Sequence, residues 1–177
     1  MTSDHPTTAE TTDMFPAPLF LEDPATGTLC CAFVNHPGSR AVFLGPVADT
    51  SFLQSTDGRF GAFTARASGP DAVTRPFLGV VDFQSLTLRL SWDRFPALEL
   101  VRLSDTVLRV HHAQSGERTV PLDVRSMPWS RKRPVSWMEW PWVGTTVTAD
   151  SPQAAVLREL LEHPWPWEWN PDYHEAP

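Results

Sequence analysis

Apolar residues occur along this chain mostly in short runs that are separated by turn-forming residues. In residues 85–92, SLTLRLSW, every second residue is apolar: Leu86, Leu88, Leu90 and Trp92. The residues between them are serine, threonine and arginine. Because side chains alternate between the two faces of a strand, this pattern predicts a β-strand with one face in the core and one in solvent.

Further strands are predicted wherever a short apolar run lies between turn signals. These runs are residues 15–21, 28–34, 41–44, 77–81, 98–103, 106–112 and 118–124, with short candidates at WMEW and VGTTVT. Two apolar runs flank Thr56-Asp57-Gly58, which predicts a hairpin because glycine accepts a positive φ. In the last two long strands, the side chains expected in the core are Leu108, Val110, Val120, Leu122 and Val124.

One amphipathic helix is predicted near the C-terminus. Ser151 is a favourable N-cap, and Pro152 fits the first helical position, where a backbone N–H has no partner within the helix. Pro164 ends the helix. The sequence QAAVLRELLEH places four apolar residues on one face: Val156, Leu157, Leu160 and Leu161.

About ten short strands followed by one C-terminal amphipathic helix predict a mainly β fold, either an antiparallel barrel or a sandwich. Closing a sheet protects its edge strands, which favours a barrel. We expect a disordered lead at residues 1–14 and the folded domain with its terminal helix at residues 15–163. Residues 164–177 form a Pro/Trp-rich tail that is expected to pack on the domain.

The order of a β-meander followed by a Ser-Pro-capped helix, over about residues 77–163, resembles pleckstrin-homology-like β-barrels. The stretch LVRLSDTVLRVHH…ERTVPL is similar to the strand-turn-strand-strand unit of bacterial members of that class. The resemblance is one of architecture. It implies a small barrel with a helical cap, in which basic loops sometimes bind anionic groups. Lipocalin-like barrels and two-sheet sandwiches fit the number of strands almost as well.

Charge is unevenly distributed in a chain of net charge −7. Residues 1–24 carry five acidic and no basic side chains, and residues 139–177 are also strongly acidic. The middle of the chain is mildly basic. This balance disfavours general nucleic-acid binding, because non-specific affinity comes mostly from phosphate neutralisation.

The compartment is predicted from signals that the chain lacks. It contains no run of about 18 apolar residues and no basic, apolar leader, so we expect a cytoplasmic protein without a membrane span. The single lysine against thirteen arginines indicates a GC-rich, bacterial genome. Cys30 and Cys31 are adjacent and point to opposite faces of a strand, so they are interpreted as structural thiols.

A basic segment with flanking aromatic residues is the first candidate site. Its cations are Arg125, Arg131, Lys132 and Arg133, and Trp129 and Trp137 flank them. Guanidinium groups bind phosphates and carboxylates through paired hydrogen bonds, which predicts an anion-binding loop. The alternative is a solvated turn that contacts the acidic ends of the same chain.

Tryptophan is the second candidate feature, with seven of the eight in the last 49 residues. They are Trp129, Trp137, Trp140, Trp142, Trp165, Trp167 and Trp169. Such a set predicts an aromatic surface for a protein, a sugar or stacked bases, or a tail that covers the domain.

Enzyme and metal signatures are weak. No GxGxxG, P-loop, HExxH, CxxC or GxSxG pattern occurs, and His111 and His112 point to opposite faces of a strand. We therefore predict neither a cofactor nor a metal, and an enzyme is the less favoured alternative. The acids available for catalysis are Asp82, Asp93, Asp105, Asp123 and Glu139, of which Asp82 and Glu139 are expected to be partly buried.

The leading hypothesis is a non-enzymatic interaction module that binds a protein partner or a second copy of itself. Its contact region would be the basic loop, with Trp129 and Trp137, and the tail tryptophans, Trp165, Trp167 and Trp169. A barrel that binds a small apolar or anionic ligand is one alternative. A single-stranded nucleic-acid binder that uses Arg131, Lys132 and Arg133 with tryptophan stacking is another.

Overall fold

A computed structural model describes residues 17–35, 40–66, 76–94, 98–122, 133–139 and 147–162, which contain eleven strands and one helix. The strands are β1 (Ala17–Glu22), β2 (Leu29–Val34), β3 (Arg40–Gln54), β4 (Phe60–Ala65), β5 (Phe77–Asp82), β6 (Thr87–Arg94), β7 (Leu98–Leu103), β8 (Val107–His112), β9 (Gly116–Pro121), β10 (Arg133–Pro134) and β11 (Met138–Glu139). The helix is α1 (Pro152–Glu162). A mainly β fold with one C-terminal helix is therefore confirmed.

The strands form two antiparallel sheets. The larger has the order β1-β2-β3-β4-β5-β6-β10, with β11 paired to β3, and the smaller has the order β7-β8-β9. The first part of β3 pairs with β2 and its last part with β4, with an irregularity between Val47 and Phe52. Among the described strands, β1 and β10 each have a neighbour on one side only, so the sheet does not close into a barrel and fits the sandwich.

The main core is enclosed by the large sheet itself. One half of this sheet consists of β1, β2 and the first part of β3, and the other half consists of the last part of β3 with β4–β6; the core lies between them. Its largest fully buried side chains include Phe33, Leu44, Phe63, Phe77 and Leu88. The prediction that the leucines of SLTLRLSW share one interior is confirmed, because Leu88 and Leu90 are buried there and Leu86 packs against them.

The opposite face of β6 differs from its predicted exposure. Ser91 is only 1% exposed, and its hydroxyl accepts a hydrogen bond from the Leu78 backbone N–H at 2.9 Å. The pairing of β5 with β6 is irregular between Phe77 and Gly79, and the serine side chain satisfies a donor at this point. The expectation of a solvent-facing strand face is therefore wrong at Ser91.

The two outer faces of the large sheet are covered by different elements. The small sheet packs on β4 and β5 through a second cluster that includes Phe60, Leu78, Leu103, Leu108 and Val110. Strands β4 and β5 are consequently buried on both faces, which explains why their sequences are nearly continuous apolar runs.

Helix α1 covers the outer face of β1–β3. Leu157 is fully buried in a third cluster with Leu21 and Phe43, and Val156, Leu160 and Leu161 pack against it. The Ser151 hydroxyl accepts a hydrogen bond from the Ala154 backbone N–H at 3.2 Å, as expected of an N-cap. The predicted helix and its apolar face are both confirmed.

Residues 133–139 connect the two halves of the large sheet. Strand β10 pairs with β6, β11 pairs with β3, and Val135 and Trp137 between them pack against the main core. This end of the predicted basic, aromatic segment therefore helps to enclose the core.

Candidate functional site

A cleft of about 430 Å³ opens between the two sheets at one end of the sandwich. Its sides come from the β3–β4 turn, the β5–β6 hairpin and the β7–β8 turn. Ten of the described residues line it: Asp57, Arg59, Phe60, Val80, Asp82, Thr87, Arg89, Asp105, Thr106 and Leu122. The lining is mostly charged and hydroxyl-bearing, in contrast to the Phe- and Leu-filled core nearby.

An ion pair lies at the centre of this lining. The Arg59 guanidinium donates from its terminal nitrogen to Asp82 Oδ2 at 2.8 Å and from Nε to Oδ1 and Oδ2 at 3.3 and 3.2 Å. The Asp82 side chain is 10% exposed and that of Arg59 is 44% exposed. The guanidinium carbon also lies 4.7 Å from the centre of the Phe60 ring, so the arginine is held on two sides.

Asp82 also organises the β5–β6 turn, since its Oδ1 accepts hydrogen bonds from the backbone N–H of Gln84 and Ser85 at 2.9 and 3.2 Å. Burial by itself raises the pKa of the Asp82 carboxyl. The hydrogen bonds from Arg59, Ser85 and Gln84 outweigh that effect, and the pKa lies below its ordinary value. Asp82 is therefore ionised at neutral pH.

The β3–β4 turn places Asp57 at one rim of the cleft. Gly58 has a φ of 70°, as the Asp-Gly signal predicts for a hairpin turn. Asp57 Oδ1 accepts hydrogen bonds from the Ser55 hydroxyl at 2.6 Å and the Arg59 backbone N–H at 3.0 Å. These bonds lower the pKa of this exposed carboxyl, the Ser55 bond most.

The small sheet forms the opposite side of the cleft. Arg89 donates from a terminal nitrogen to the Leu122 carbonyl at 3.2 Å, and the Leu122 backbone N–H donates to the Thr106 carbonyl at 2.8 Å. Asp105 and Thr106 are exposed in the β7–β8 turn. The Arg89–Leu122 bond therefore ties β6 to the small sheet across the cleft.

Most of the predicted contact residues fall outside the residues described. These are Arg125, Trp129, Arg131, Lys132, Trp165, Trp167 and Trp169, together with the lead at 1–14 and the tail at 164–177. Arg133 begins β10, where its backbone pairs with Leu88, between Thr87 and Arg89 of the cleft. Trp137 is half-buried against the main core.

The structure places the predicted acids at different sites. Asp82 and Asp105 line the cleft, and the expected burial of Asp82 is confirmed at 7% exposure. Glu139 is exposed on β11, a two-residue strand that meets β3 at Arg40, so its expected burial is wrong. Asp123 lies outside the described residues.

Three charged residues of the cleft were not among the candidates: Asp57, Arg59 and Arg89. The Asp-Gly turn was recognised only as a turn. Arg89 was interpreted as the solvent side of an alternating strand. Its backbone contact to Leu122, 33 residues away, has no local sequence signal.

The two thiols do not form a reactive site. Cys31 lies in the main core and Cys30 in the cluster under α1, so they do point to opposite faces. Burial raises the pKa of Cys30 to about 12, and it raises the pKa of Cys31 further. Both side chains are consequently neutral and inaccessible, as structural thiols are.

No group of three potential metal-ligating side chains occurs among the described residues. His111 is exposed on β8, and the half-buried His112 contacts the Ser115 hydroxyl at 3.1 Å. Within the same residues, no helix is long and apolar enough to cross a membrane.

Comparisons with protein-family models, curated proteins and solved structures gave no match to this chain. The resemblance to pleckstrin-homology-like barrels therefore stays a prediction, and the cleft has to be interpreted from its own chemistry.

Proposed function

We propose that this protein is a binding module that holds a small polar ligand in the cleft between its two sheets. The observation that supports this is the contrast between a core filled by aromatic and aliphatic side chains and a cleft of about 430 Å³ lined by ionised and hydroxyl groups. A volume of this size is within the range of small-molecule sites.

The rigidity of the lining favours binding. Arg59 is held by Asp82 and by the Phe60 ring, Asp82 by two backbone N–H groups, and Arg89 by a carbonyl of the opposite sheet. Groups fixed in this way lose little conformational freedom when a ligand arrives, which lowers the cost of binding. The lining favours a polar over an apolar ligand, because seven of the ten described residues that line the cleft are charged or carry a hydroxyl group.

Filling the cleft is expected to abolish ligand binding while the fold is kept. Thr106 is exposed at the rim, so Thr106→Trp places an indole in the cleft without disturbing the core. A ligand-observed NMR screen with small polar compounds should identify binders of the wild type that lose affinity for the variant by about tenfold or more.

The matched control is Thr119→Trp, at an exposed position of β9 that does not line the cleft. It should retain the wild-type affinities. A screen without binders, or equal loss of binding in both variants, would rule out the cleft as a ligand site.

A protein partner or a second copy is a second candidate, favoured by the tryptophans of the sequence. If Trp165 and Trp167 form an exposed contact surface, Trp165→Ala with Trp167→Ala should shift the solution mass toward the monomer or remove a partner from pull-downs. Light scattering after size exclusion measures the first effect. The Trp→Phe pair, which keeps aromatic contacts, should behave more like the wild type. Unchanged mass and partners in the alanine variant would exclude this role.

A further inference from the structure

We propose that strand β1 pairs with β1 of a second copy of this chain, so that two large sheets join into one continuous sheet across a twofold axis. Among the described strands, β1 (Ala17–Glu22) pairs with β2 alone and forms one end of the large sheet. A strand of another chain can extend such an edge through backbone hydrogen bonds. The inference is independent of the cleft, which is lined by the β3–β4, β5–β6 and β7–β8 turns.

The free side of β1 presents a defined set of backbone groups. The Asp23 N–H donates to the Thr28 carbonyl at 2.9 Å, which continues the ladder between β1 and β2. Because these groups alternate along a strand, the odd-numbered residues of β1 bond to β2 and the even-numbered residues face away. The open side therefore offers the N–H and C=O of Phe20 and Glu22, and the C=O of Pro18, which has no N–H.

The edge at β1 lacks the features that discourage pairing at the other described edges. Strands β10 and β11 are only two residues long, the pairing of β7 is irregular between Leu100 and Arg102, and β9 carries the exposed charges of Glu117 and Arg118. The pairing of β1 with β2 is regular over its whole length, and residues 19–21 are Leu, Phe and Leu. A regular, apolar edge of this kind is expected to be covered by another strand.

The backbone of β1 is complementary to itself in one antiparallel register. With Phe20 opposite Phe20 of the second copy, the two residues exchange both of their outward hydrogen bonds. In the same register, the Glu22 N–H of each chain meets the Pro18 carbonyl of the other. Every outward N–H of both strands then has an acceptor, and the donor that proline lacks leaves only the carbonyl of the exposed Glu22 to solvent.

The side chains match in this register on both faces of the sheet. On the face that α1 covers, Leu19 lies opposite Leu21 of the second copy, which continues the third cluster across the edge. On the face of the main core, the two half-buried Phe20 rings meet as an aromatic pair. A slide of two residues in either direction places Phe20 opposite Pro18 or Glu22 and loses this match. The occupant that fits this edge is therefore a second copy of β1.

A pair of cysteines tests the register. In the dimer, residue 18 of one chain lies opposite residue 22 of the other, with a Cα separation of about 5.5 Å that a disulfide can span. Residues 18 and 22 of the same chain, and like positions of the two chains, are about 13 Å or more apart, which excludes a disulfide. Under mild oxidation, the double variant Pro18→Cys with Glu22→Cys should form a dimer that reducing agent dissociates on a gel, and neither single variant should do so. Both native thiols are buried and do not contribute.

A proline substitution tests the backbone bonds. Light scattering after size exclusion should show the wild-type mass rising toward that of a dimer between about 1 and 100 µM, the range of a small interface. Glu22→Pro removes an outward N–H that β2 does not use and places a ring at the contact, so this variant should fold and stay monomeric. Glu22→Ala is the matched control, because it removes the same exposed side chain and keeps the N–H. It should reproduce the wild-type masses.

Three results would overturn the pairing of β1. The first is a wild type that stays monomeric at about 100 µM, and the second is a double cysteine variant that cross-links no more than the single variants. The third is a dimer that persists in Glu22→Pro but is lost when Trp165 and Trp167 are changed to alanine, which would assign the contact to the tail. The ligand screen of the cleft is a separate measurement, so none of these results decides the proposed function.

Discussion

Gly79→Ala is expected to lower the free energy of unfolding by about 3 kcal/mol, at the upper end of the usual cost of overpacking a core. Gly79 lies in the middle of β5, directly opposite Phe63 of β4. A Cβ at this position would lie 2.5–2.8 Å from three ring atoms of Phe63. Because that ring is fully buried in the main core, it has little room to move away. Urea denaturation followed by tryptophan fluorescence measures the change.

Two further variants separate this clash from a general effect of alanine in a strand. At Gly61 of β4 the nearest contacts of a new Cβ are 3.1–3.2 Å, so Gly61→Ala should cost clearly less, about 1–2 kcal/mol. Phe63→Leu should recover part of the stability when it is combined with Gly79→Ala, giving a favourable coupling in a double-mutant cycle. Independent, additive effects of these two changes would contradict the clash.

The surroundings of Gly79 show what an apolar run does and does not predict. Residues 77–81 were correctly predicted as a buried strand with a glycine inside it, because a strand covered on both faces gives a continuous apolar run. The residue that packs against Gly79 could not be predicted from this run. Phe63 covers Gly79 because of the register between β4 and β5, and that register depends on contacts along the whole strands.

Helix α1 was predicted well because its signals are local. Ser151, Pro152 and a four-residue apolar stripe lie within eleven positions, and each acts on the same turns of backbone. Strand β3 shows the opposite case. The apolar run at residues 41–44 predicts only a short strand, but the strand continues through Gly45-Pro46 to Gln54. Gly45 has a φ of 86°, and the pair lies just before β3 passes from β2 to β4, where proline and glycine are tolerated at an irregular point.

The cleft could not be predicted from local sequence patterns, because the residues that line it come from turns that are distant in sequence. The sequence marks Asp82 and Asp105 only as acids available for catalysis, and Asp82 also as partly buried. Neither position in the sequence predicts that the two side chains line the same cleft. Only the packing of the small sheet on β4 and β5 brings the β7–β8 turn opposite Arg59 and Arg89.

Asp82→Ala is expected to cost about 2–3 kcal/mol at neutral pH, because several hydrogen bonds to a buried carboxylate disappear together. The change leaves the backbone N–H groups of Gln84 and Ser85 without their acceptor and Arg59 without its partner. Asp82→Asn should cost less, since its amide oxygen still serves the two backbone donors. Chemical denaturation of both variants at pH 7 measures the difference.

The pH dependence of the same variants tests the role of the charge. The pKa of Asp82 is lower in the folded chain than its ordinary value, so the unfolded chain binds the extra proton first as the pH falls. Its contribution to stability is therefore complete above the ordinary value of 3.8 and is lost as the pH falls toward the folded pKa. The wild type should lose more stability than Asp82→Asn between about pH 5 and 3. Asp150→Asn, at an exposed position, is the control for the loss of one negative charge. Parallel losses in the wild type and Asp82→Asn would mean that the ion pair with Arg59 does not hold the carboxylate in its charged form.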